Sequence, residues 1–424
     1  MTNRTLAPKI AMPSHLDLVH SQIYTLQNGL KVHYFTGCSE PVLNLSIYNK
    51  AGKYYQNKDM VAFFTMSLLK KGTNNFSASE IEEKIDFLGA SLYTDSNMFK
   101  NSVSLSCLTD NLETLLPVIV EILTESNFPE EELALEKNKQ LQKLKVNKKK
   151  NEYLASVLFS EAVFGKNHPC GKLVTEEQIR DVSREDILLH YNNRVKLDSE
   201  SIIVLSGEIN ADTLEQIDQN IGKMELQGKE DFPFRTFEPE REREIVFPVD
   251  KSVQASLRIG MPLDIDYNHQ DYLDLEIVNR ILGGYFGSRL MKNIREEKGY
   301  TYGIYSFISN FEIGSYFCVA TDVGLAYKEN TVSEIYKEIF RLKTEPISIE
   351  ELEMVKNYHK GRIMKSIDGS MRMANVLSLL LPLGLDEEYI NKRLEAVENI
   401  TPERIVYLAN KYLDIDKMYK VIVG

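Results

Sequence analysis

The chain has 424 residues, 43% apolar and 26% charged, with a formal net charge of −12. That length exceeds one ordinary core and suits two domains of about two hundred residues each. The acidic balance argues against nucleic acid as a main partner, and no stretch approaches the roughly 18 unbroken apolar residues of a membrane span. The first eighteen residues, MTNRTLAPKIAMPSHLDL, have no apolar signal core, which predicts a cytoplasmic protein. Cys38, Cys107, Cys170 and Cys318 show neither CxxC pairing nor metal spacing and read as reduced, half-buried thiols.

In chain order, QNGLKVHYF opens the first half, with Asn28-Gly29 as a hairpin signal. VLNLSIY at 42–48 alternates as a half-buried strand, and a helix is predicted over about 58–70, broken at Gly72-Thr73. SASEIEEKIDFL at 77–88 is a serine-capped helix with acidic residues in its first turn, stopped by Gly89. Two strands follow, ASLYTDSN and NSVSLSCL, then the long helix NLETLLPVIVEILTE. Pro129-Glu130-Glu131 starts another helix, which runs into the basic stretch KNKQLQKLKVNKKKNEY at 137–153, read as a solvated face. An HPCG loop at 168–171, a helix at 185–191 and the strand SIIVLSG complete this half. Residues 222–248 are charged, proline-bearing and weakly periodic, and read as a linker between domains at 1–221 and 249–424.

The second half repeats the first. QASLRIG, a helix, ILGG, a capped helix and two strands parallel LNLSIYN, its helix, KKGT, SASEIEEK and two strands. Gly89 and Gly299 end equivalent helices, and FPEEELALEKNK is echoed by ISIEELEMVKNY at 347–358. A long-period duplication of an α+β unit is therefore visible in the residues. Within it, 283–307 reads GGYFGSRLMKNIREEKGYTYGIYSF. Ser288 is a candidate N-cap, Leu290, Met291 and Ile294 form an apolar face, and Gly299 is a C′ glycine before an aromatic strand. Arg295 on the helix flank and Tyr302 early in the strand can reach one cleft. On residue chemistry alone, Arg295 reads as a solvated charge among glutamates.

This stretch resembles the C-terminal-half signature of the insulinase/pitrilysin family of inverted-zincin peptidases, which includes the mitochondrial processing peptidases. The shared pattern is a glycine turn, a serine-arginine-leucine helix start, an arginine, and a tyrosine seven residues later. The resemblance covers nearly the whole chain. It implies an α+β fold of two homologous domains, each an antiparallel sheet backed by helices, facing each other across a chamber. It also implies that Arg295 and Tyr302 hold substrate backbone, with Tyr302 helping to stabilise the oxyanion.

Peptide-cutting members carry HxxEH on the helix before KGT, where two histidines bind zinc and the glutamate polarises water. Aligning KKGT places Phe63 and Ser67 at the histidines and Met66 at the general base. The third ligand falls within a residue or so of Lys143, while Glu136 matches the family's other glutamate. None of Phe63, Met66, Ser67 and Lys143 suits its role, so the expectation is no metal in this chain. His15, His20, His33, His168, His190, His269 and His359 supply no replacement pair.

The resemblance therefore implies a non-catalytic subunit of a heterodimeric zinc metallopeptidase. Zinc would sit only on an HxxEH-bearing paralogous partner, a peptide would be the substrate, and a homodimer would form when the chain is alone. The alternative is a non-enzymatic peptide-binding or scaffold protein of the same fold.

Overall fold

A computed structural model of the chain describes residues 13, 15–228, 232, 238–240 and 242–424. The first sheet contains β1 (Gln22–Thr25), β2 (Lys31–Phe35), β3 (Val42–Asn49), β4 (Ser91–Ser96), β5 (Asn101–Leu108) and β6 (Ile202–Gly207), in the order β1-β2-β6-β3-β5-β4. The second contains β7 (Glu244–Phe247), β8 (Gln254–Leu263), β9 (Thr301–Phe311), β10 (Gly314–Gly324) and β11 (Tyr419–Val423), in the order β7-β11-β8-β10-β9. Without the extra strand β1, the two orders superimpose strand for strand. The duplication read from sequence is thus a duplication of topology.

The expectation of antiparallel sheets needs one refinement. β2 pairs parallel with β6, and β7 pairs parallel with β11, while every other pairing is antiparallel. The strand that returns after the helices of each half inserts beside the first strand in the same direction. Long helical crossovers permit this pairing and a tight hairpin does not.

Local chemistry sets the element ends as expected. Gly29 takes φ 87° between β1 and β2. Ser77 Oγ accepts from Glu80 N and Glu80 Oε2 accepts from Ser77 N, a capping box on the helix Ala78–Phe87. The basic helix Glu130–Asn147 leaves Lys143 and Lys145 exposed. Residues 1–12 and 14, and part of the linker at 222–248, lie outside the described residues. In the described part of that linker, Glu244–Phe247 is strand β7.

Alternation divides each sheet between two faces. Leu43, Leu45 and Ile47 of β3, Val103 and Leu105 of β5, and Ile203 and Leu205 of β6 enter the first core, under that half's own helices. Phe35 and Val204 point the other way and pack with Met373, Ala374 and Leu377. Those three residues lie on Ser370–Leu380, a helix of the second half. The second sheet is treated reciprocally. Cys318, Tyr419, Val421 and Val423 pack with Ala155, Phe159, Ala162 and Val163 of Asn151–Phe164, a helix of the first half. Each half lends a helix to the far face of the other's sheet. Beside this exchange, a cleft of about 390 Å³ separates Asn44, Ser91 and Ser106 from Met371 and Asn375.

Cys107 and Cys318 are buried, Cys38 and Cys170 are half-buried, and all four are free thiols. Burial pushes Cys107 up to about 11, and Cys170 and Cys318 up to about 12. Burial disfavours the charged form of two of the three buried histidines, His190 and His359. Burial lowers His190, whose Nε2 lies 3.0 Å from Ala51 O, to about 4. Burial, reinforced by Arg393, Arg280 and Arg362, lowers His359 to about 3. An unfolded histidine takes its proton below about pH 6.5. Between there and about pH 4 the unfolded chain binds protons that the folded chain refuses, so stability falls as pH drops. Urea unfolding across this window is expected to show that slope, and His190→Gln with His359→Gln is expected to flatten it.

Candidate functional site

The segment 283–307 is built on close backbone approach. A Cβ on Gly283 would meet Ser306 Oγ at 2.6 Å and Ser306 N at 2.7 Å, and Gly283 O accepts from Ser306 N at 3.0 Å. Only glycine lets the turn lie so tightly on β9. Leu290, Met291 and Ile294 enter the second core, and Gly299 ends the helix at φ 67°. Ser288 differs from expectation. The turn buries it to 1% exposure, and its Oγ has no hydrogen-bond partner among the described residues, so its side chain does not cap the helix.

The helix is π-wound over Met291–Glu297, a widening common at functional sites. A buried amide holds it. Asn293 Nδ2 donates to Glu334 Oε2 at 2.8 Å and to Glu338 Oε1 at 2.7 Å, both on the helix Lys328–Thr344. Arg341 in turn lies 3.1 Å from Glu338, which is 1% exposed. Sequence reading passed over Asn293; its signal was an amide within two residues of the apolar positions Met291 and Ile294.

Arg295 and Tyr302 are brought together through the main chain. Arg295 Nε donates to Tyr302 O at 3.0 Å, and its guanidinium lies 4.7 Å over the Phe286 ring. Arg295 Nη1 is 3.8 Å from Glu296 Oε1. The expected meeting of cation and phenol is therefore a meeting of cation and carbonyl. Tyr302 is 94% exposed, and its hydroxyl has no hydrogen-bond partner among the described residues. A register shift between Thr321 and Val323 lets the start of β9 bulge. Thr301 Oγ1 donates to Asp322 O at 2.7 Å, and Thr321 Oγ1 to Gly303 O at 2.9 Å. With Thr301 and Gly303 tied inward, the ring between them stands out in solvent.

The helix aligned with the zinc motif is Val61–Leu68. Phe63 and Ser67 share its half-exposed face with Lys70, while Met66 is 1% exposed within the first core. The Phe63 ring meets Phe64 edge-on at 5.5 Å, and Ser67 Oγ donates to Phe64 O at 3.1 Å. Lys143 is exposed, and Glu136 accepts from Gln140 Nε2 at 2.7 Å. Phe63, Ser67 and Lys143 face a surface and Met66 does not, and the residues do not fit zinc: a phenyl ring, a core thioether, an internally bonded hydroxyl and an ammonium. Among the described residues, no group of three or more His, Cys, Asp or Glu is placed to hold a metal ion. No hydrogen bond or ion pair joins this helix to Arg295 or Tyr302 among those residues. Likewise, none of the described helices is long and apolar enough to cross a membrane.

Two family models together match most of the chain, the second of them crossing from the first half into the second. Residues 38–173 match the family described as insulinase (peptidase family M16), and residues 181–358 match the peptidase M16 inactive domain. An uncharacterized zinc protease, YmxG, of Bacillus subtilis is 26% identical over 82% of this chain and 84% of its own. A non-peptidase homolog, also YmxG, of Helicobacter pylori is 24% identical over 77% and 76%. The crystal structure of a peptidase M16 inactive domain from Pseudomonas fluorescens superimposes with a TM-score of 0.86 at 23% identity, covering 96% of this chain and 98% of that one. From the donor set at Phe63, Met66, Ser67 and Lys143, the purified chain is expected to carry no stoichiometric zinc. Elemental analysis finding one tightly held zinc per chain would refute this. With both halves matched and the same fold throughout, the chain belongs to the insulinase (M16) peptidase family and is a homologue of its inactive type.

Proposed function

We propose that this chain is the non-catalytic subunit of a heterodimeric zinc peptidase of the cytoplasm. It would lend Arg295 and Tyr302 to the HxxEH site of a paralogous partner that binds the zinc. The observation supporting this is the exposed phenol of Tyr302, held outward beside a tethered arginine, in a chain whose helix Val61–Leu68 lacks ligands. A relative named as a non-peptidase homolog agrees with the inactive part of the reading. In the assembled site Arg295 would offer its terminal nitrogens to a peptide carbonyl. Tyr302 would donate to the oxyanion as it forms.

A second reading, a peptide-binding or scaffold protein without catalytic duty, is favoured by the bond from Arg295 to Tyr302 O. That contact braces the strand from within the chain. The two readings separate on Tyr302→Phe, which keeps the ring and removes one donor. Under the first, turnover by the reconstituted pair should fall by about 10² to 10³ while assembly persists. Arg295→Ala should chiefly weaken peptide binding. Unchanged turnover in Tyr302→Phe would leave the scaffold reading standing.

Assembly provides a separate check. The chain alone should sediment as a homodimer and exchange into a heterodimer when the partner is added, with more than roughly 1,000 Å² buried. A strict monomer at high concentration, with or without the partner, would contradict the proposal.

A further inference from the structure

Leu92 and Tyr302 occupy equivalent places in the two halves. Each lies three residues past the glycine that ends a helix, Gly89 at φ 61° or Gly299 at φ 67°. Each is the second residue of an outermost strand, β4 or β9. Each main-chain carbonyl accepts from a long cationic side chain: Leu92 O from Lys70 Nζ at 2.8 Å, and Tyr302 O from Arg295 Nε at 3.0 Å. The two cations do not correspond in the repeat. Lys70 follows the helix Val61–Leu68, the counterpart of Tyr272–Leu282, whereas Arg295 lies on the counterpart of Ala78–Phe87. The same carbonyl is therefore capped twice by unrelated positions.

The two caps leave different chemistry behind. An outer strand presents unpaired main-chain groups that template an added strand. Arginine spends Nε on the carbonyl and keeps two terminal nitrogens for an incoming peptide. Lysine has one nitrogen, and Leu92 O is its only hydrogen-bond partner among the described residues. Lys71, its neighbour, turns away to Glu82 at 2.7 Å. An ammonium–carbonyl bond is charge-assisted, so a neutral peptide N–H competes poorly for the same oxygen. Lys70 is also half-buried.

We propose that Lys70 closes the β4 edge of the first half to extended peptides, leaving the Arg295 side of the second half as this chain's route to peptide. The proposal rests on the peptide-binding reading above and adds where binding is refused. The half that carries Phe63, Met66 and Ser67 at the aligned zinc positions is also the half whose edge carbonyl is held by a lysine.

The test is fluorescence polarisation of the full chain with a labelled, unstructured, proline-free 15-residue peptide. Lys70→Met removes the ammonium at similar length, and Lys70→Arg retains a capping donor. Lys70→Met is expected to bind about tenfold more tightly than the unaltered chain, the effect of freeing one such acceptor. Lys70→Arg should stay within about twofold. The gain should vanish with a probe N-methylated at alternate residues, because strand addition needs those N–H groups. Equal affinity in Lys70→Met and the unaltered chain overturns the proposal, as does binding by neither. A gain that survives N-methylation overturns it too, since that reports only an apolar methionine. Arg295→Ala on the same probe separates the two ideas. If it leaves binding unchanged while Lys70→Met gains, edge closure stands and the Arg295 reading fails.

Discussion

The exchange of helices between the halves is the constraint on which the rest of the structure depends. A sheet with apolar residues on both faces must be covered twice, and each half's own helices cover only one face. Asn151–Phe164 and Ser370–Leu380 supply the missing layers in opposite directions. Neither sheet is complete without the other half. The loan also fixes polar groups: Arg258 on β8 is 5% exposed, donating to Leu257 O at 2.9 Å and to Ser156 Oγ of the lent helix at 3.3 Å. A buried guanidinium so placed is costly to strand.

Aromatic contacts reinforce the exchange at the tip of the β9–β10 hairpin. Phe311 lies 5.5 Å from Phe99 and 5.8 Å from Phe164, and Phe164 stacks on His168 of the HPCG loop at 5.5 Å. Tyr55 in the first half donates to Glu312 in the second at 3.3 Å. Burial, which outweighs that bond, holds the Glu312 carboxyl above its usual range. One end of β9 is thus anchored in the first half, and Tyr302 stands at the other. Outside the interface, Asp271 is 2% exposed and accepts from Arg404 at 2.6 Å, Lys411 at 2.7 Å and Tyr412 at 2.6 Å. Burial alone would raise its pKa, but those donors outweigh it and hold the carboxylate below its usual range.

The helix Val61–Leu68 shows how a fold outlives a catalytic motif. Its inward residues, Phe64, Met66 and Leu68, are core residues whose burial needs no metal. Its outward residues are a ring at Phe63 and an internally bonded hydroxyl at Ser67, and Lys70, just past its end, sends a cation to the edge of the sheet. The packing does not depend on zinc ligands there, because the aligned ligand positions Phe63, Ser67 and Lys143 face a surface while the core lies behind them.

Much was legible in order along the chain. The capping box at Ser77, the left-handed glycines at 89 and 299, and the alternation of β3 and β5 follow from local rules that operate within a few residues. The duplication was legible for the same reason, since it repeats those local signals at long range. Other features lay beyond sequence reading. Periodicity does not say which sheet a helix covers, so the lent helices appeared only in three dimensions. Ser288 looked like a cap, but tertiary packing of the glycine turn buried its hydroxyl. Asn293 needed Glu334 and Glu338 from a helix some forty residues away. By itself the sequence determined the two-part fold, the absence of ligands at Phe63, Met66, Ser67 and Lys143, and the pairing in sequence of Arg295 with Tyr302. Tertiary structure alone decided that Arg295 and Lys70 each grip a strand carbonyl, because a hydrogen bond depends on where two backbones meet in space.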